Sequence, residues 1–171
     1  MSLDWAESTF GDPCRECGFS WATSREDALT LVTTLPARYR ELTASASGTE
    51  RHPDLGWNVT QYVSHVVDNL RMSAERMVGA LESGDHAVGV DDPDALAIAR
   101  RYDQVRLPGA LWSLENSVAA WIAAMGRAFD ADLVLQHETR GEQTAGETAI
   151  ANAHDAFHHA WDVERSLSPA S

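Results

Sequence analysis

The sequence predicts an all-α protein built as a four-helix bundle. Two observations carry that expectation. Four stretches of roughly 20 residues place apolar side chains at i, i+3, i+4 and i+7, the period of one buried helix face. Three of these stretches also open on a recognisable cap: Ser24, Asn58-x-x-Gln61 and Thr144-x-x-Glu147. The connections between them are irregular, and nothing repeats or is of low complexity.

Taken in order, residues 1–23 read as an irregular arm. Gly11, Pro13 and Gly18 punctuate it, and Trp5, Phe10, Phe19 and Trp21 need a surface to pack on. The bundle domain follows over 24–171. Its first helix opens at Ser24, with Glu26 and Asp27 in the first turn, and buries Ala28, Leu31, Val32, Leu35, Tyr39 and Leu42. Pro36 lies inside it and predicts a kink or restart. The second helix runs from about Val59 to Leu81, with Val59, Tyr62, Val63, Val66, Leu70 and Met77 inward. A break from Gly84 to Pro93 precedes a short helix or turn over Asp94–Arg101. The third helix starts at Pro108, where a missing amide hydrogen costs nothing, and carries Leu111, Leu114, Val118, Trp121, Ile122, Met125 and Phe129. The connection Asp130–Gln143 is long for a bundle, and Leu133-Val134-Leu135 within it suggests an extended piece. The fourth helix opens at the Thr144 capping box and runs to about Ser166, ahead of Pro169.

Composition narrows the function. A chain of 171 residues with 44% hydrophobic content, 23% charged content and mean hydropathy −0.30 is one soluble globular domain. No run approaches the ~18 apolar residues of a membrane span. MSLDWAESTF has no basic n-region, so a signal peptide is not expected and the cytoplasm is the expected location. A net charge of −13 repels phosphate backbones and anionic lipid, which disfavours nucleic-acid and membrane partners. A small-molecule substrate is the expected partner, with a homodimer as an open alternative to a monomer. All 13 basic residues are arginine, a bias typical of high-GC bacterial genomes.

The chemistry concentrates in the last helix, in HDAFHHAWDV. His154 and His158 are four apart and share a face with Ile150, Phe157 and Trp161. Imidazoles on an apolar face need partners for their nitrogens, which a metal ion or neighbouring hydrogen-bond groups could both supply. His65 sits on the flank of the second helix's apolar face, in a Trp57-x-x-x-x-Tyr62-x-x-His65 segment.

These segments, with the four-helix order, resemble the DinB-like superfamily of bacterial four-helix bundles (DinB/YfiT-like metalloenzymes), over about Ser24 to Leu167. In that superfamily one metal ligand comes from the second helix and an H-x-x-x-H pair, or its E-x-x-x-H relative, from the fourth. The resemblance therefore implies His65, His154 and His158 as ligands of a divalent ion. Zinc is the default, and nickel, iron or manganese fit the same donors. Three imidazoles leave an open position, the pattern of a catalytic site. Relatives include mycothiol-dependent maleylpyruvate isomerase and other thiol-dependent transferases, so the resemblance implies an S-transferase or isomerase with mycothiol as cosubstrate. A metal-dependent hydrolase, and a non-catalytic metal-binding stress-response protein, are the alternatives.

Other residues carry open readings. His159 lies about 100° round the helix from His158 and reads as supporting or surface rather than ligating. Asp155, Asp162 and Asp68 either orient an imidazole or are ordinary charged residues, and Glu147 is explained by its capping box. His52, His86 and His137 fall in loops and read as surface histidines. Cys14 and Cys17 form a C-x-x-C that admits three readings: a knuckle completed by His52 and His159, thiols brought beside the three-histidine metal, or a redox pair. Arg140 and Arg165 are the basic residues available to an anionic cosubstrate.

Overall fold

The architecture, seen in a computed structural model that describes residues 3–168, is a bundle of four long helices. They are α2 (Arg25–Leu42), α3 (Val59–Ser83), α5 (Leu107–Asp130) and α6 (Ala145–Leu167). Helix α3 packs along α5 and α2 along α6, with further seams between α2 and α5 and between α3 and α6. The caps act as expected. The Ser24 hydroxyl accepts from Asp27 N at 3.1 Å, and both capping boxes close, at Asn58/Gln61 and Thr144/Glu147. Each such cap satisfies amides the helix leaves unpaired and stabilises it by about 1 kcal/mol. Pro36 does not restart α2, which continues through it. The role given to Pro169 lies outside the described residues.

The core follows the periodicity. Trp121, Tyr39, Leu35, Leu70, Met77, Leu114 and Met125 are completely enclosed. Ile122, expected inward, is exposed. Tyr39 is buried on α2, and its hydroxyl donates to the Ala156 carbonyl of α6 at 2.9 Å. Helix α6 turns a seam of small residues to the bundle: Ala149, Ala153, Ala156, Ala160 and Val163. Its larger apolar residues, Ile150, Phe157 and Trp161, are only partly buried and lie off that seam. This rotation of α6 decides where its histidines point.

Three features surround the four long helices. The arm contains a short helix, α1 (Asp4–Phe10), and packs on the bundle through Ala6, Cys14, Phe19 and Trp21, all buried. The segment Pro93–Ala99 (α4) leads into a 3-10 turn at Tyr102–Gln104. A small sheet joins β1 (Ala87–Val88), β2 (Val134–His137) and β3 (Gly141–Thr144), with β1 parallel and β3 antiparallel to β2. The extended piece expected near Leu133 is thus the first strand of a hairpin leading straight into α6.

Candidate metal centre

Along α6, a step of about 100° per residue puts Asp155 and His159 on one flank of the alanine seam. His154 lies on the other flank, with His158 pointing away from the seam. The structure uses both sides. His65, Asp155 and His159 form one group whose donor atoms lie within 4.8 Å of one another. Cys14, Cys17, His154 and His158 form a second group meeting the same criterion.

In the first group, Asp155 Oδ1 lies 3.4 Å from His65 Nε2 and 3.6 Å from His159 Nε2. His159 Nδ1 is 2.9 Å from Asp162 Oδ2, a partner that fixes the ring and leaves Nε2 for the centre. Burial alone would push the Asp155 pKa up, but the flanking His65 and His159 imidazoles hold it well below the usual carboxylate range. Burial works against charge on His159, yet Asp155 and Asp162 raise its pKa to about 9. Asp155 Oδ2 and His65 Nδ1 are sealed from solvent with no hydrogen-bond partner. A carboxylate between two imidazoles, with one oxygen unsatisfied, fits a divalent cation as third partner. Trp57 lies 5.1 Å from the His65 ring and Tyr62 lies 5.2 Å from the His159 ring (centroid distances), so the donors stand against an aromatic wall.

His65 and Asp155 line a cavity of about 250 Å³. Asn152 forms part of its wall and is held on three sides: it accepts from Ser73 Oγ at 2.7 Å and Trp121 Nε1 at 2.9 Å, and donates to Asn69 at 2.8 Å. Arg76, Arg140 and His137 line the same cavity. Arg76 pairs with Asp91. The Arg140 guanidinium lies 3.9 Å over the Trp5 ring and, among the described residues, makes no ion pair. Burial, then the nearby Arg140 and Arg76, lower the His137 pKa.

In the second group, Cys14 Sγ lies 3.8 Å from His158 Nδ1, and both cysteines are free. His154 is buried among Phe10, Phe19 and Trp21, and its Nε2 has no hydrogen-bond partner. Burial, then the neighbouring His158, push its pKa down to about 4, which keeps the ring neutral. Burial also lowers His158 and raises the Cys17 thiol to about 11.

The fold matches that of YfiT from Bacillus subtilis, a probable metal-dependent hydrolase with an unusual four-helix bundle topology. The similarity has a TM-score of 0.69 at 20% identity, over 83% of this chain and 85% of YfiT. No protein-family model matches the sequence, and no curated protein matches it. The two chains share an architecture.

Within that YfiT-like bundle, the three histidines expected to share one ion are divided. His65 meets Asp155 and His159, while His154 and His158 meet the arm's thiols. The cause is the rotation of α6. Its alanine seam, rather than the His154–Phe157–Trp161 face, is turned to the bundle, and the arm covers the latter. Asp155-x-x-x-His159 has the same i, i+4 spacing as His154-x-x-x-His158, one residue further along, and it is this pair that meets His65. The histidines proposed to complete a Cys14–Cys17 knuckle also change, from His52 and His159 to His154 and His158. His52 Nδ1 instead accepts from Asp54 N at 3.2 Å. His86 Nδ1 lies 2.8 Å from the Val134 carbonyl beside the small sheet, and His137 lines the cavity. Arg165 stacks on Trp161, 4.6 Å from the ring centroid, and is not part of the cavity wall. Asp68 belongs to neither group: it accepts from Tyr102 Oη at 2.8 Å and pairs with Arg71 and Arg100 at 3.1 and 3.3 Å. Among the described residues no helix is long and apolar enough to cross a membrane.

Proposed function

We propose that this chain is a metal-dependent enzyme acting on a small anionic molecule, with the ion held by His65, Asp155 and His159. The observation that carries the reading is the position of His65 and Asp155 in the wall of the cavity, with Asp155 Oδ1 between the Nε2 atoms of His65 and His159. Three protein donors leave coordination positions for water or substrate. Such an ion supplies Lewis acidity, lowering the pKa of a water or thiol and polarising a carbonyl or phosphoryl oxygen. Zinc, iron, nickel and manganese all accept two imidazoles and a carboxylate.

The chain's own residues supply the rest. With an ion bound, Asp162 would accept from His159 Nδ1 and leave Nε2 to the ion. Arg140, stacked on Trp5, offers the cavity a charge that attracts a carboxylate or phosphate in an otherwise acidic protein. His137, in the cavity wall, is the group placed to take a proton from an attacking nucleophile or return one to a leaving group. These roles support hydrolysis as the reaction class, in keeping with the activity attributed to YfiT. A second reading is S-transfer or isomerisation with mycothiol, bacillithiol or glutathione as cosubstrate. It rests on the same open positions; Arg140 would face the carboxylates of bacillithiol or glutathione, which mycothiol lacks.

The test incubates metal-loaded protein with chromogenic carboxylic and phosphoric esters, and separately with each thiol plus monochlorobimane. Metal-dependent ester cleavage lost in His65→Ala supports the hydrolase. Metal-dependent conjugation lost in the same variant supports the transferase. No ion bound at the His65 group in the folded protein would overturn both.

A further inference from the structure

The arm and α6 bring together four donors that the cavity chemistry does not use. We propose that Cys14, Cys17, His154 and His158 form a second, closed zinc site, structural in role, that fastens the N-terminal arm to α6. This inference does not depend on the activity proposed for the His65 group.

The geometry has three parts. The C-x-x-C turn is preorganised: Gly18 N donates to Cys14 O at 2.9 Å, Cys14 N donates to Phe19 O at 2.7 Å, and Gly18 takes φ +76°, which glycine adopts without strain. Both thiols therefore face the same side as the histidine pair, which one helical turn aligns. Four donor atoms within 4.8 Å of one another suit a single tetrahedral ion. The second part is an unmet need. His154 is 5% exposed, its Nε2 has no partner, and aromatic rings at centroid distances of 4.4–5.3 Å enclose it. An imidazole nitrogen in such a place requires a donor, an acceptor or a cation. The third part is outer support. His158 Nδ1 faces Cys14 Sγ, while its Nε2 lies 3.4 Å from the Glu16 carboxylate. A ligating histidine commonly shows this pattern, with its second nitrogen hydrogen-bonded to an acid.

The donor chemistry separates the two groups. Two thiolates and two imidazoles select zinc over harder ions, and two thiolate charges balance one dication, so the ion and its four donors together carry no net charge. Four protein donors fill a tetrahedron and leave no position for substrate, unlike the His65 group. The arm also backs the cavity wall, because Trp5 lies under Arg140, which lines it. Fastening the arm thereby holds one wall of the cavity.

The experiment uses the reduced, full-length chain loaded with cobalt(II) in place of zinc. Thiolate-to-cobalt charge transfer in the near ultraviolet, with intense visible bands of a tetrahedral ion, is expected in the unmodified protein and in His65→Ala. The Cys14→Ser, Cys17→Ser variant should lose those bands and one equivalent of metal. Absence of charge transfer in the unmodified protein at saturating cobalt, or its persistence in the double variant, would overturn the site; the former needs no variant to fold. Persistence in His65→Ala separates failure of this site from failure of the catalytic one. For the fastening role, trypsin cleavage at Arg15 and Arg25 is followed in His65→Ala with and without zinc. Cleavage at least tenfold slower with zinc is expected, and equal rates would overturn the role.

Discussion

Asp155 and His159 stand one turn apart on α6 and meet His65 of α3, with the Asp155 carboxylate 3.4 Å from one imidazole and 3.6 Å from the other. The contact joins two helices that pack directly against one another. A single residue of rotation in α6 would replace this pair by His154 and His158. The choice of donors is thus a matter of helix orientation, and the first prediction tests it.

Replacing His65 by Ala should remove the ion at the cavity, while His154→Ala should leave it in place. Both variants should keep their far-ultraviolet circular dichroism, because the apolar seams hold the bundle. Metal analysis after dialysis, coupled with activity, distinguishes them. Equal loss of the cavity ion in both variants would return His154 to the same centre.

Asp162→Asn should weaken the cavity ion without abolishing it. Asp162 holds His159 from outside the donor set, and removing such support costs about 10–100-fold in affinity. Competition with a chelator of known affinity measures the change. An unaltered affinity would show that the His159 ring is oriented by packing against Tyr62 alone.

Asp68→Ala should destabilise the fold and leave metal content unchanged. Asp68 is 5% exposed and receives Tyr102, Arg71 and Arg100, so it ties the 3-10 turn and α4 to α3. The arginines are partly solvated, which lowers the cost of losing their partner. The expected loss is about 1–3 kcal/mol, the range for a lost charged hydrogen-bond partner, read from urea unfolding. Tyr102→Phe should lose less, because it removes one hydrogen bond and leaves both ion pairs.

Gly48→Ala should be among the costlier single changes outside the metal groups. Gly48 has φ +91°, and an added Cβ would lie 2.2 Å from Thr60 Oγ1 and 2.8 Å from Leu107 Cβ. Left-handed strain of about 1–2 kcal/mol and overpacking of about 1–3 kcal/mol together predict a loss of about 2–5 kcal/mol in urea unfolding. A loss below about 1 kcal/mol would mean the loop shifts freely, against the Thr60 N–Gly48 O hydrogen bond of 3.0 Å that pins it.

The four long helices, their caps and most of their buried faces were legible in the sequence because the forces that set them are local. Ser24 meets Asp27, Asn58 meets Gln61 and Thr144 meets Glu147 within one turn, and apolar spacing of three and four residues needs no knowledge of the partner. The donor-bearing residues His65, His154, His158, Cys14 and Cys17 stand out in the sequence as well, and each lies in a group that could hold a metal ion. Their grouping was not legible there. On α6 the bulky residues Ile150, Phe157 and Trp161 mark an apolar face more strongly than Ala149, Ala153, Ala156 and Ala160 do. Yet the alanines face the bundle, because small side chains let helices approach closely, and the bulky face is left for the arm to cover. Only the packed structure decides that rotation, and each residue of rotation is about 100°. The same holds for the small sheet, where Ala87 and Val88 pair with Gln136 and His137 across nearly 50 positions, a contact that no local pattern encodes.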